Sequence, residues 1–257
     1  MKNLSIALGV LAVLAAVIFG VRSVLPKIET SGIEKLDDIA GVATSTNPEK
    51  PATTTAEKGI VDVLQLAALK IIDRPITIKT TLSEQTKQLA IQKINEASDM
   101  IRANYDYANQ WYDLGAYRKM IGDYIGADEA WSFVSRIRPD DFISLHNLGD
   151  LYYSLKNYSK AEQYFLASIE KNPQNADAYI QLVAIYEFND LSKTSLIEPL
   201  LLRGITANPK EPNLMIALGK YYQNRGNLEG ARNYFTQALA LNPKNTELER
   251  ELQLLGK

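Results

Sequence analysis

The chain contains no cysteine and a single histidine, His146, among its 257 residues. Without thiols it can form no disulfide, thiolate nucleophile, iron–sulfur cluster or cysteine-ligated zinc site. A histidine-rich metal site is excluded in the same way. A catalytic His146 would need a nucleophile and an orienting group, and the sequence signals neither. We therefore expect no cofactor, no metal and no catalysis by this chain.

An excess of charge of one sign is also missing. The chain has 28 basic and 30 acidic residues, which gives a formal net charge of −2. Nucleic-acid-binding domains carry a basic excess, so we expect no nucleic-acid partner. The acidic pairs Asp128-Glu129 and Asp140-Asp141 are interpreted as solvated charges at helix starts rather than metal ligands.

One long hydrophobic run is present, LSIALGVLAVLAAVIFGV at residues 4–21. As a helix it would span roughly 27 Å, close to the hydrocarbon core of a bilayer. We predict that residues 1–28 are a transmembrane signal-anchor of a single-pass membrane protein, with the bulk of the chain outside the cytoplasm. The alternative is a signal peptide whose cleavage releases a secreted protein, although the run is longer than usual for one.

Two segments follow this run. Residues 29–57 are dominated by Ser, Thr, Pro, Ala and charged residues, which predicts a disordered linker. Residues 58–104 are predicted to be a lead-in segment with an N-terminal capping helix. Within it, 60–72 fits either a helix or a buried strand, 76–82 fits an extended segment, and Ser83 fits a helix N-cap. An apolar stripe at helical spacing then predicts one amphipathic helix: Ala90, Ile94, Ala97 and Ile101.

Small, aromatic and proline residues recur at a fixed spacing in the remaining chain. The pair Leu148-Gly149, for example, returns as Leu218-Gly219. Prolines close successive segments at nearly equal intervals: Pro139, Pro173, Pro209 and Pro243. This spacing divides residues 105–243 into units of about 106–139, 140–173, 174–209 and 210–243, followed by a capping helix at 244–257. In the third unit Val183 replaces the glycine, and we expect a longer turn at Asn189–Thr194.

A unit of about 34 residues with Trp or Leu, Gly, Tyr, Ala, Phe and Pro at these offsets resembles the tetratricopeptide repeat. The resemblance covers roughly residues 106–243. It implies an all-α, right-handed superhelix of about four helical hairpins with capping helices. It also implies that Gly115, Gly149 and Gly219 let paired helices approach closely, while Trp131, Phe165 and Phe235 fill space toward the next unit.

In this family the first helix of each unit lines a groove that binds other proteins. Such a groove suits an extended peptide or a partner helix. The subset that grips carboxylate termini is not matched, because only Asn147 fits its pattern. The family register places the following candidates on the first helices: Asn109, Tyr112, Ala116, Lys119, Ile143, His146, Asn147, Asp150, Tyr153, Asp177, Ile180, Ala184, Glu187, Asn213, Ile216, Lys220 and Gln223.

Together these features predict a membrane-anchored scaffold or adaptor that binds another protein and performs no catalysis. The plan resembles that of bacterial envelope assembly factors, at the level of fold only. One alternative is an accessory subunit of an envelope enzyme or secretion complex whose chemistry the partner carries. Another is a hydrolase that uses acidic residues of the groove.

Overall fold

The computed structural model describes residues 55–255, which contain helices and no β-strand. The predicted anchor at 4–21 lies outside these residues, as does all but the end of the predicted linker, in which the first helix begins at Thr55. None of the helices from Thr55 onward combines the length and the hydrophobicity that a bilayer crossing requires.

Eleven α-helices follow one another within residues 55–255, and the third to the tenth of them form four consecutive hairpins. The third hairpin also contains a π-helical turn, Ile185–Asn189, and a 3-10 helix, Leu191–Leu196. The α-helices are α1 Thr55–Ile72, α2 Glu84–Ala103, α3 Ala108–Met120, α4 Tyr124–Ile137, α5 Phe142–Ser154, α6 Tyr158–Lys171, α7 Ala176–Ala184, α8 Ile197–Ala207, α9 Pro212–Asn224, α10 Leu228–Leu241 and α11 Thr246–Leu254.

Local sequence explains where these helices begin. Ser83 caps α2 as predicted, because its side chain accepts a hydrogen bond from the Thr86 backbone N–H at 3.2 Å. The turns before α4, α6 and α10 each contain a residue with positive φ followed by a capping side chain. These pairs are Gly122-Asp123, Lys156-Asn157 and Gly226-Asn227.

The repeated glycines mark the closest approach of paired helices, as the sequence predicts. A Cβ atom on Gly149 would lie 2.6 Å from the Phe165 ring of the facing helix. The same arrangement joins Gly115 to Trp131 and Gly219 to Phe235. The rings also reach onward, since Phe165 shares a buried cluster with Tyr179 and Leu182 of the next hairpin. Larger side chains at the glycines would therefore separate the helices.

The third hairpin reverses this arrangement. Val183 takes the glycine position on α7, and the glycine appears instead as Gly204 on α8. A Cβ atom on Gly204 would lie 3.1 Å from the ring of Tyr179, which is fully buried on α7. The longer connection expected near Asn189–Thr194 is present, and it begins earlier, at Ile185.

Helices α1 and α2 cover the N-terminal end of the first hairpin. Residues 60–72 form part of α1, which settles the choice between helix and strand. The predicted stripe of α2 is buried throughout, and it forms one cluster with side chains of α1 and the first hairpin: Ala68, Ile71, Ile72, Ala90, Ile94, Ala97, Ile101, Trp111 and Phe133. At the other end, Leu248 of α11 packs into the cluster of the fourth hairpin.

Candidate protein-interaction surface

Every candidate side chain keeps some contact with solvent, and all lie on the first helices except Glu187, which lies in the π-helical turn after α7. We call this set the first-helix surface. Its exposed members are Asn109, Ala116, Ile143, Asp177, Asn213 and Lys220. Its half-buried members are Tyr112, Lys119, His146, Asn147, Asp150, Tyr153, Ile180, Ala184, Glu187, Ile216 and Gln223.

Contacts between neighbouring elements join parts of this surface. The Lys119 ammonium donates a hydrogen bond to the Asp150 carbonyl oxygen at 3.3 Å, from the first hairpin to the second. The Asn224 amide donates to the Glu187 carboxylate at 3.1 Å, from the fourth hairpin to the third. Gln223 reaches Glu251 of α11 at 3.3 Å. The structure therefore joins two predicted residues of different repeats, Lys119 and Asp150, and pairs Glu187 and Gln223 with residues outside the predicted set.

Several half-buried members also hold the hairpins in place. The Tyr112 hydroxyl donates to the Asp141 carboxylate at 2.6 Å, and burial together with that carboxylate raises the pKa of Tyr112. His146 Nδ1 lies 3.2 Å from the Asn175 amide nitrogen, and its ring meets the Phe165 ring edge-on at 5.5 Å. Substitutions at such positions would therefore change the packing of the hairpins as well as the exposed surface.

Sequence reasoning missed a second set of contacts, which join successive hairpins. In each, a tyrosine near the end of a first helix donates to a carboxylate in the second helix of the preceding hairpin, 24 residues earlier. The sequence did carry a signal for these contacts, because the three acceptor carboxylates recur at the same intervals as the prolines that close the units. We call these the tyrosine–carboxylate contacts: Tyr152 to Asp128 at 2.8 Å, Tyr186 to Glu162 at 2.8 Å and Tyr222 to Glu198 at 2.6 Å.

These contacts keep the tyrosines neutral and acting as donors. Burial and the adjoining carboxylates raise the pKa of Tyr152, Tyr186 and Tyr222. Burial also raises the pKa of Asp128, although the hydrogen bond from Tyr152 opposes that rise. The interpretation of Asp128 as a solvated charge was therefore wrong, because its carboxylate is partly buried at a contact between hairpins.

The first hairpin has an arginine where the later ones have these tyrosines, since Arg118 lies one repeat length before Tyr152. Arg118 is fully buried and donates to Asp123 at 2.8 Å and to the Arg74 carbonyl oxygen at 2.9 Å. Arg74 in turn pairs with Asp123 and Glu129, each at 3.1 Å. We call these four residues the ionic cluster. The Glu129 side chain stays 35% exposed, so this ion pair adds a partner to a carboxylate that solvent still reaches.

The ionic cluster stabilises the charged form of Asp123. Burial by itself would raise the pKa of this carboxyl group. Hydrogen bonds from the Gly126 N–H and Arg118, with the charges of Arg74 and Arg118, outweigh burial and lower the pKa. The cluster thus ties the segment after α1 to the first turn. Lys79 N–H adds a 2.7 Å hydrogen bond to the Ile121 carbonyl oxygen.

No group of three or more acidic or histidine side chains within residues 55–255 is arranged to hold a metal ion. The side chains of the first-helix surface offer amide and carboxylate hydrogen bonding, ammonium groups at Lys119 and Lys220, and aliphatic contact at Ile143.

Comparison with known families identifies two of the hairpins. Residues 143–175 and residues 212–245 each match a tetratricopeptide repeat. They correspond to α5–α6 and α9–α10. The chain therefore contains tetratricopeptide repeats, as the spacing of its glycine, aromatic and proline residues predicts.

Several curated proteins are similar over part of their length. The general transcriptional corepressor trfA of Dictyostelium discoideum is 28% identical over 135 residues, which are 52% of this chain and 10% of that protein. Anaphase-promoting complex subunit 3 of Schizosaccharomyces pombe is 25% identical over 193 residues, which are 72% of this chain and 29% of that protein. The chain thus spans less than a third of either relative.

Among solved structures, MamA matches with a TM-score of 0.51 and 19% identity, covering 65% of this chain and 99% of that one. At this identity the likeness shows the fold alone. It agrees with the all-helical arrangement of residues 55–255.

Proposed function

We propose that the chain is a membrane-anchored adaptor that binds a segment of another protein along its first-helix surface. Tetratricopeptide-repeat proteins bind other proteins or peptides, and one relative is named as a subunit of a multiprotein complex. The observation that carries the proposal is the repeated solvent access of the first helices. Their opposite faces are buried, whereas the candidate side chains stay accessible in all four hairpins.

The chemistry of this surface suits a peptide or helix of mixed polarity. Its exposed members include a carboxylate at Asp177, an ammonium at Lys220, and amides at Asn109 and Asn213. Half-buried Ile180 and Ile216 add aliphatic side chains to these polar groups. Such a surface offers aliphatic contacts beside hydrogen-bonding groups, the combination by which extended and helical segments are recognised. The proposal assigns no catalytic step to this chain.

Anchoring through residues 4–21 is the second part of the proposal, with the bulk of the chain outside the cytoplasm. Its support is the uncharged run itself. Protease treatment of intact cells tests the orientation, because an extracytoplasmic C-terminus is degraded without lysis. Protection until lysis would contradict it. The mass of the mature protein separates a retained anchor from a cleaved signal peptide.

The absence of cysteine allows a direct test of the binding surface. Single cysteines at Ala116→Cys and Lys220→Cys carry a short cross-linker at exposed first-helix positions. Asn233→Cys, exposed on α10, is the matched control outside the first helices. We expect the same partner to be captured in native membranes from both first-helix sites and not from the control. Equal capture from Asn233→Cys would remove the first-helix surface as the binding face.

The similarity to a protein named as a subunit of a complex favours the second candidate, an accessory subunit of an envelope enzyme or secretion complex whose partner carries the chemistry. The two candidates differ in what the captured partner does. An accessory subunit should change the activity of a captured enzyme when added back to it. An adaptor should change only its location or assembly.

A further inference from the structure

His146 and Asn175 join the second hairpin to the third. Nδ1 of the imidazole lies 3.2 Å from the amide nitrogen of Asn175, the residue immediately before α7. The corresponding positions 34 residues earlier hold Tyr112 and Asp141, which also form a hydrogen bond. In the third and fourth hairpins an isoleucine without a polar side-chain atom takes the histidine position. The junction of the second and third hairpins is therefore the one that contains the chain's single imidazole.

Ser168 fixes which atom of the Asn175 amide faces the imidazole. The Ser168 side chain is fully buried, and its hydroxyl donates to the Phe142 carbonyl oxygen at 2.9 Å. Because its single hydrogen is used there, the hydroxyl oxygen can only accept from the Asn175 amide, which lies 2.8 Å away. The amide atom that lies between Ser168 and His146 is therefore the nitrogen.

This nitrogen in turn fixes the state of His146. It carries two hydrogens, one for Ser168 and one for His146, and it accepts no hydrogen bond. Nδ1 must therefore offer a lone pair, so the ring is neutral and its hydrogen lies on Nε2. A proton on Nδ1 would place two donors 3.2 Å apart. The contact thus forms with the neutral imidazole and breaks when the ring is protonated.

Asn175 has a second place to bind. At the other connections that follow a hairpin, the last residue accepts a hydrogen bond from a backbone N–H of the next helix: Asp141 for α5, Glu211 for α9 and Asn245 for α11. Asn175 occupies the same position before α7, and its side chain forms no such bond. Asparagine is among the strongest N-cap residues. An Asn175 side chain released by His146 can therefore turn its amide oxygen to the first turn of α7.

The charged groups around His146 do not hold its ring. Within residues 55–255 none of them forms an ion pair or a hydrogen bond with the imidazole. Asp128, whose pKa burial raises, binds Tyr152 instead. Between pH 5 and 8 an ordinary imidazole changes its charge, whereas ordinary carboxyl and ammonium groups do not. The other charged or titratable groups on the surrounding elements are Tyr112 and Lys119 on α3, Arg136 on α4, Asp141 and Asp150 before and on α5, Glu170 and Lys171 on α6, and Asp177 on α7.

We propose that His146 is a pH-dependent latch between the second and third hairpins. The neutral ring holds Asn175 away from α7, and the protonated ring releases it to cap that helix. His146 belongs to the first-helix surface, as do Asp177 and Ile180 of the helix that Asn175 precedes. The consequence for binding rests on the proposed function. A junction that is less fixed should bind the partner more weakly, because the surface is less preorganised at pH 5 than at pH 8.

Nitrogen NMR of the full chain tests the latch, because the single histidine gives one pair of ring signals. With isotope-labelled histidine at pH 8, we expect the hydrogen on Nε2 alone in the wild-type chain and both tautomers in Asn175→Ala. The side-chain amide signal of Asn175, identified by its loss in Asn175→Ala, should move between pH 8 and pH 5 together with the ring signals. It should stay in place in His146→Asn, the matched control, whose amide oxygen accepts near the position of Nδ1 and does not titrate.

A hydrogen on Nδ1 at pH 8, equal tautomer populations in the two chains, or an Asn175 signal that does not respond to pH would overturn the latch. From pH 8 to pH 5 the affinity for the captured partner should fall about two- to tenfold, the factor expected for one hydrogen bond. An equal fall in His146→Asn would overturn the control of binding by this residue. The proposed function fails separately, if Ala116→Cys and Lys220→Cys capture no partner, and the NMR result still decides the latch.

Discussion

The first hairpin and the later hairpins use the same repeat position in two different ways. Tyr152, Tyr186 and Tyr222 donate to a carboxylate of the preceding hairpin, whereas Arg118 belongs to the ionic cluster. The difference follows from what lies opposite. The carboxylate position preceding Arg118 is occupied by buried Ile94, one repeat length before Asp128. A tyrosine at 118 would find no acceptor there, and the arginine turns instead to Asp123 and Arg74.

The contact that a side chain makes at a given repeat position therefore depends on the residues that surround it. The later junctions use neutral donors whose partners recur with the repeat. The first junction uses charges because the lead-in segment supplies Arg74, which no later hairpin has. The first junction should therefore depend on its ionic cluster, and the later ones on a tyrosine hydrogen bond, which an ion pair from Lys193 reinforces at Glu162.

The largest effect should come from Arg118→Met. The substitution leaves Asp123 buried without its closest cation, and removing one partner of a buried pair costs about 3–5 kcal/mol. Denaturant unfolding followed by circular dichroism measures this loss. A cost below about 1 kcal/mol, the level of a surface pair, would show that the ionic cluster does not hold the first junction.

A smaller effect should come from Tyr186→Phe. Loss of the hydroxyl leaves the Glu162 carboxylate with Lys193 as its remaining partner, so the expected cost is the net contribution of one hydrogen bond, about 0.5–1.5 kcal/mol. Tyr153→Phe is the matched control, because its hydroxyl forms no hydrogen bond within residues 55–255; its cost should stay within about 0.5 kcal/mol. Equal destabilisation by both would assign the tyrosines to ring packing alone.

Arg74→Ala should act locally. The Arg74 side chain is 27% exposed, and its loss frees the segment after α1 from Asp123 and Glu129. Amide hydrogen exchange should accelerate in α1 and at Lys79 and stay unchanged in α9 and α10. Uniform acceleration across all hairpins would contradict the separate character of the first junction.

The smallest effect on the free energy of unfolding should come from Asp128→Asn. Asp123→Asn serves as the comparison, because the pKa of Asp123 is shifted in the opposite direction. Asp128 has a raised pKa, so its contribution to stability is present below the unfolded value near 3.8 and is lost as pH rises through the folded pKa. Asp123 has a lowered pKa, so its contribution is present above that value and is lost as pH falls through the folded pKa.

At neutral pH, Asp128→Asn should therefore leave the free energy of unfolding nearly unchanged, since an amide oxygen still accepts from Tyr152. Asp123→Asn should destabilise clearly at the same pH. Unfolding free energies at pH 7 and pH 4 distinguish the two. The opposite ranking would mean that the two carboxylates do not differ in environment.

Sequence periodicity was enough to predict the hairpins, their glycine–ring contacts and the caps, because these depend on residues close in sequence or one repeat apart. Ser83, Gly149 and the stripe of α2 show this. It was not enough for contacts that depend on a departure from the repeat. Arg118 breaks the tyrosine pattern, and its partner Arg74 lies outside the repeats, so no spacing rule joins them. In the third hairpin the glycine, Gly204, lies on the second helix and the ring, Tyr179, lies on the first. Only the packing reveals this reversal.

The candidate site divides in the same way. The family register selected side chains that all keep solvent access. It did not separate residues such as Ala116 from residues such as Tyr112, whose side chain is held by a hydrogen bond to the next hairpin. That distinction depends on the Asp141 carboxylate, which comes from the next hairpin.

The most direct test of the proposed function is the affinity of the captured partner for two double variants. Ala116→Arg with Lys220→Glu alters exposed positions of the first-helix surface, and Asn233→Arg with Thr236→Glu alters exposed positions of α10. We expect the first pair to weaken binding by about tenfold or more, equivalent to about 1.4 kcal/mol, with an unchanged unfolding midpoint. The second pair should leave binding intact. Unchanged affinity in the first pair, or equal loss in both, would contradict the proposed function.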